Sequence, residues 1–134
     1  MTNLEIVKEK LYEDNASLVV IFKGGTCKKY YHRRVEDIVS ILKEDKDALK
    51  GAIIADKVIG KVAGSILTVA GVSEIYADVI SKFAIPVLEE YGIKYEYKNK
   101  VDFIINNDKT GMCPMENKFK DEIDLNNIYN YFVK

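Results

Sequence analysis

The sequence predicts a layered α/β protein whose mixed sheet is opened by an N-terminal hairpin. Three observations carry this. Ser17–Phe22 reads SLVVIF, and a Gly24-Gly25 turn separates it from a second extended run, Thr26–Tyr31, which is the signature of a hairpin. Downstream, helical and extended patterns alternate, which implies parallel strand pairs at the crossovers. Between the two lies the most apolar run of the chain, Gly51–Val72 (GAIIADKVIGKVAGSILTVAGV), suited to elements buried nearly all round.

The elements follow in order. Thr2-Asn3-Leu4-Glu5 has the spacing of a capping box. It opens a first helix with Leu4, Val7, Leu11 and Tyr12 on one face, ending near Asp14. The hairpin comes next, its return strand leading into Lys28, Lys29, Tyr30, Tyr31, His32, Arg33 and Arg34. That basic and aromatic patch has the composition of a phosphate or base-stacking surface, but it reads better as an edge strand guarded by charge. His32, the sole histidine, reads as a surface residue. Val35–Leu42 begins an amphipathic helix that runs to about Asp45.

In the central run, Gly51–Ala55 suits a short buried strand. Asp56 then has the chemistry of an N-cap, for a helix from Lys57 to Ala70 that Gly71 ends in the left-handed conformation. Its one polar stripe is Lys57, Lys61, Gly64 or Ser65, and Thr68. Cations at a helix N-terminus are disfavoured by about 0.3–1 kcal/mol, so these lysines call for an anion. Structural ion pairing supplies one explanation. An anion pocket, or a lysine shifted toward its neutral form, supplies the other.

Beyond it, Glu74–Val79 alternates as a strand, and Ser81 is placed to cap a helix over Lys82–Tyr91 closed by Gly92. Pro86 inside that span kinks the helix or delays its start. Ile93–Tyr97 and Val101–Ile105 read as extended. Near the end, Cys113-Pro114-Met115-Glu116 reads as N-cap, first residue and back-reaching third residue of a short helix. Asp124 caps a last helix with Leu125, Ile128, Tyr129 and Phe132 inward.

The chain has 134 residues, enough for one domain with a real core. A net charge of −1 argues against nucleic acid as a general partner. Cys27 and Cys113 are far apart with no secretory signal, which fits a cytoplasmic protein with reduced thiols. A membrane span over Gly51–Val72 is rejected. Its three charges, Asp56, Lys57 and Lys61, would each cost about 2.5–3.5 kcal/mol near a bilayer centre.

The ADKVIGKVAGSI segment, the turn at Ser81 and the GMCPME segment resemble an uncharacterised family of small prokaryotic proteins with a cytidine-deaminase-like fold. The resemblance covers nearly the whole chain and rests on ADKVxGK with a late CPxE. It implies a three-layer αβα sandwich, with its site at the start of the central helix (Asp56–Lys61) and at the turn around Ser81. Zinc deaminases carry His or Cys followed two residues later by Glu, then Cys-x-x-Cys. Here Lys57, Ile59 and Lys61 stand in the first place and Ser81 in the second, with no Cys-x-x-Cys. Cys27, His32 and Cys113 have no deaminase spacing. The expectation is the fold without the zinc chemistry, with no metal and no cofactor.

What chemistry remains centres on Cys113, a thiol at a helix N-terminus and activated further if a lysine is near. One hypothesis is an enzyme acting on a small anionic, nucleotide-like or phosphorylated molecule by group transfer. Cys113 would be nucleophile or sulfur carrier, with Lys61 and Glu116 beside it, and Asp56, Lys57 and Ser81 holding the ligand. The other is a non-catalytic domain that keeps the pocket for ligand binding. A third, an interaction module using the hairpin edge, has the least support.

Overall fold

The computed structural model describes residues 1–33 and 35–134; Arg34, the last member of the basic patch, lies outside them. In chain order the elements are α1 (Asn3–Glu13), β1 (Leu18–Ile21), β2 (Cys27–Tyr30), α2 (Glu36–Glu44), β3 (Ile53–Ile59), α3 (Lys61–Ala70), β4 (Glu74–Ser81), α4 (Ile85–Glu90), β5 (Lys94–Val101), α5 (Pro114–Phe119) and α6 (Leu125–Val133). Among the described residues the strands form one five-stranded sheet in the order β2-β1-β3-β4-β5. β1 runs antiparallel to both β2 and β3, while β3, β4 and β5 are mutually parallel. The mixed α/β architecture, the hairpin and the later parallel crossovers thus follow the sequence pattern.

Strand alternation divides the core between the two faces. Val19, Ile21, Ala55 and Tyr76 meet Leu4, Val7 and Leu11 of α1. On the opposite face Leu18, Val20, Ile54, Ile75 and Ala77 meet α2, α3 and α6. α1 opens with the expected capping box: the Glu5 N–H donates to Thr2 Oγ1 at 3.1 Å and the Thr2 N–H to Glu5 Oε1 at 3.1 Å. Tyr12 departs from the apolar face assigned to it. Its hydroxyl donates to Asp78 at 2.6 Å and lies 2.8 Å from that of Tyr76.

The central run folds differently from expectation. Asp56 does not cap a helix, and Lys57 does not start one; both lie in β3, which extends to Ile59. The helix begins at Lys61 with Gly60 as N-cap. Pairing decided this. Ile53–Ile59 gains a parallel ladder to β4 along its length and an antiparallel one to β1 up to Asp56, and two ladders outweigh local capping propensity. The C-terminal end is as expected, with Gly71 left-handed at φ 86°.

Ser81 likewise caps nothing. It ends β4, and α4 begins only at Ile85, which places Pro86 in the first turn where its missing N–H does no harm. After β5 the chain makes a small excursion closed by an Ile105–Met112 bridge, then enters α5 behind Cys113. Asp124 caps α6 as expected, accepting from the Asn126 N–H at 3.0 Å. No described helix is long and apolar enough to cross a membrane.

Candidate functional site

The C-terminal ends of β3 and β4 meet the start of α3, and the 102–116 excursion folds over them. Glu116 is the keystone of this junction. It is 2% exposed. Its Oε1 accepts from the Lys61 backbone N–H at 2.7 Å and from the Ser81 hydroxyl at 2.9 Å. Its Oε2 accepts from the Ile104 N–H at 2.5 Å. The expected back-reaching cap on its own helix is absent. Glu116 caps α3 instead, where Gly60 offers no side chain, and its charge answers the positive end of that helix. Gly60 has to be glycine for a steric reason: a Cβ there would lie 2.6 Å from Glu116 Oε1 and 2.7 Å from Ile104 Cγ1.

Beside this junction opens a cleft of about 540 Å³. Its walls are largely apolar, with Val35, Val58, Val62, Ile104, Met115 and Phe132 among them. Cys113 and Glu116 also line it, and His32, Arg33, Lys57 and Lys109 give it a basic margin. Asp56 belongs to the same lining and is 5% exposed. One Asp56 oxygen accepts from the Val58 N–H at 3.2 Å. Burial pushes the carboxyl up to about 8, against the pull of the Val58 and Lys57 N–H groups and with help from nearby Asp37. The cleft is thus apolar with a few convergent polar groups and one perturbed carboxyl.

The residues singled out from the sequence therefore separate. Asp56, Lys57, Cys113 and Glu116 share the cleft. Lys57 also donates its amine to Asn15 Oδ1. Lys61 contributes its backbone N–H to the junction, but its amine turns to the Lys120 carbonyl at 3.3 Å, outside the cleft lining. Burial lowers its pKa, opposed by Asp121, Glu122, Glu116 and Glu90. Ser81 is fully buried against Glu116 and supports the junction from beneath. Glu116 thus meets the backbone N–H at the start of α3, the Lys61 amine is offset first by Asp121 and Glu122, and Lys57 lies in β3 instead of at the helix start.

Two further residues emerge from the fold. His32 lines the cleft, and its Nδ1 lies 2.7 Å from Asp37 Oδ1 in the first turn of α2. The sequence spacing of His and Asp across a strand-to-helix connection carries no motif that would have singled them out.

The chain is similar to a solved protein of known fold. The crystal structure of a DUF1893 family protein (TM1506) from Thermotoga maritima superposes with a TM-score of 0.84 at 29% identity, covering 98% of this chain and 88% of that one. No curated protein matches the chain. Residues 6–134 match the family model described as TM1506, Domain of unknown function (DUF1893), and the chain belongs to that family.

Proposed function

We propose that the protein is an enzyme that binds a small anionic, nucleotide-like molecule in the cleft beside α3 and acts on it by group transfer. The observation that carries this reading is Asp56, a carboxyl buried among apolar walls whose pKa of about 8 leaves it protonated near neutral pH. A group in that state donates a proton to a leaving group and takes one back within the same cycle. Cys113 in the cleft wall is the nucleophile. Lys57, with Arg33 and Lys109 at the margin, attracts the ligand's charge. Glu116 and Ser81 hold the start of α3 and the excursion in register and so position the wall that carries Cys113.

The fold that goes with this reading is the cytidine-deaminase-like sandwich without its zinc ligands. Its support is the β3–α3–β4 crossover, with the cleft opening where α3 begins. A cytoplasmic setting suits Cys27, an exposed thiol. The non-catalytic alternative draws on Glu116, because an internal carboxylate already occupies the α3 N-terminus and leaves the cleft for recognition alone.

A thermal-shift panel of nucleoside mono- and diphosphates, with inorganic phosphate as control, tests the binding. A ligand present at about a hundred times its Kd adds about 2.7 kcal/mol of stability, several degrees in Tm. The rise should shrink in Lys57→Ala. Incubation of a hit with wild type and Asp56→Asn, read by mass spectrometry, then separates the two readings. Conversion by wild type alone establishes the enzyme; equal binding with no conversion by either establishes the binding domain. A panel that stabilises wild type no more than Lys57→Ala defeats both.

A further inference from the structure

The connection from β2 to α2 folds His32 back onto Asp37. The His32 backbone N–H donates to Asp37 Oδ2 at 3.0 Å, and the ring Nδ1 sits 2.7 Å from Oδ1. The Asp37 side chain is 9% exposed and that of His32 67%, so a sunken carboxylate grips a ring at the cleft margin. A carboxylate only accepts, so Nδ1 carries a hydrogen, and in the neutral ring Nε2 then keeps the lone pair. An imidazole fixed in one tautomer by a carboxylate is the orienter-and-base half of a nucleophilic site. His32 and Cys113 line the same cleft, as does Asp56 on β3.

We infer that His32, oriented by Asp37, is the base that accepts the Cys113 thiol proton, so that the cleft catalyses transfer of the ligand's electrophilic group to water. The inference rests on the reading of the cleft as an enzyme site. In the first half, the thiol proton passes to Nε2, directly or through one water. The sulfur bonds to the electrophilic centre, the bond to the leaving group breaks, and the leaving group takes the Asp56 proton. In the second half, water attacks the sulfur-bound group and gives its proton to the Asp56 carboxylate. The sulfur departs and recovers its proton from the imidazolium. Both groups return to their starting state, and the net reaction consumes one water without oxidant or reductant. Asp37 bonds the ring and the backbone N–H of His32 and is a positioning residue.

His32 is the chain's only histidine, so its ring gives a single set of NMR signals. In the ligand-free wild type, long-range 15N correlation should show Nδ1 protonated and Nε2 bare in the neutral ring, and Asp37→Asn should mix the tautomers. In parallel, iodoacetamide labelling read site by site should slow at Cys113 by about tenfold or more in His32→Gln, while Cys27 labels at an unchanged rate as internal reference. A wild-type ring already mixed between tautomers, or Cys113 labelling equally fast in both proteins, overturns the inference. Neither measurement involves a ligand, so a nucleotide panel that fails leaves them standing, and their failure leaves binding intact.

Discussion

Asp56 is a carboxyl kept from water by its neighbours, and this makes it felt in the pH dependence of stability. Its folded pKa, about 8, lies above the ordinary 3.8, so the native state holds a proton that the unfolded chain releases. Stability from this group is complete below about pH 4, falls as pH rises and is lost by about pH 8. Urea unfolding of wild type and Asp56→Asn at pH 5 and pH 8 isolates the effect. The wild type should lose a few kcal/mol relative to the variant over that interval, and parallel behaviour would refute the raised pKa. That Asp56 needs an explanation was legible, because a charge inside so apolar a run is costly. Its role was not: a cap and a buried acid look alike until the neighbours that remove water are known. His32 shows the converse. Beside two arginines it reads as surface, and its side chain is 67% exposed; only the return of the chain onto Asp37 sets its ring against a carboxylate.

Helix α3 shows how an element's end is set by a distant residue. Local signals named Asp56 as cap, yet β3 pairing extended the strand past it and left Gly60 at the boundary. The open N–H of Lys61 is then met by Glu116, 55 residues away. Glu116→Ala would strand three donors at once, those of Lys61, Ile104 and Ser81. Unsatisfied buried donors cost about 1–3 kcal/mol each, so the denaturation midpoint should fall by at least the equivalent of one. Gly60→Ala should destabilise by about 1–3 kcal/mol through overpacking alone, since Gly60 has φ −105°, a conformation open to any residue. Wild-type stability in Gly60→Ala would mean that Glu116 and Ile104 move aside without loss. The Cys-Pro start of α5 was readable in the sequence, as was a capping role for Glu116. The helix it caps was not, because no short-range pattern links residues 61 and 116.

In the molecule as a whole, the sheet separates two cores of unequal size, and the cleft belongs to the larger. α1 alone covers its face through Leu4, Val7 and Leu11. Leu11→Ala should therefore cost about 2–5 kcal/mol in chemical unfolding and leave the His32 tautomer unchanged, since α1 lies across the sheet from the cleft. A disturbed His32 ring in that variant would show the two faces to be coupled. The hairpin, the first and last helices and the parallel crossovers were all readable from residue order, since periodicity, caps and glycine turns act over a few neighbours. Ladder formation, burial and the folding of residues 102–116 over the start of α3 act over tens of residues. They moved the α3 boundary, turned the Lys61 amine away, joined Ser81 to Glu116 and set His32, Asp56 and Cys113 around one cleft. Short-range chemistry is written in the order of side chains, whereas solvent exclusion and convergence exist only once distant segments have packed.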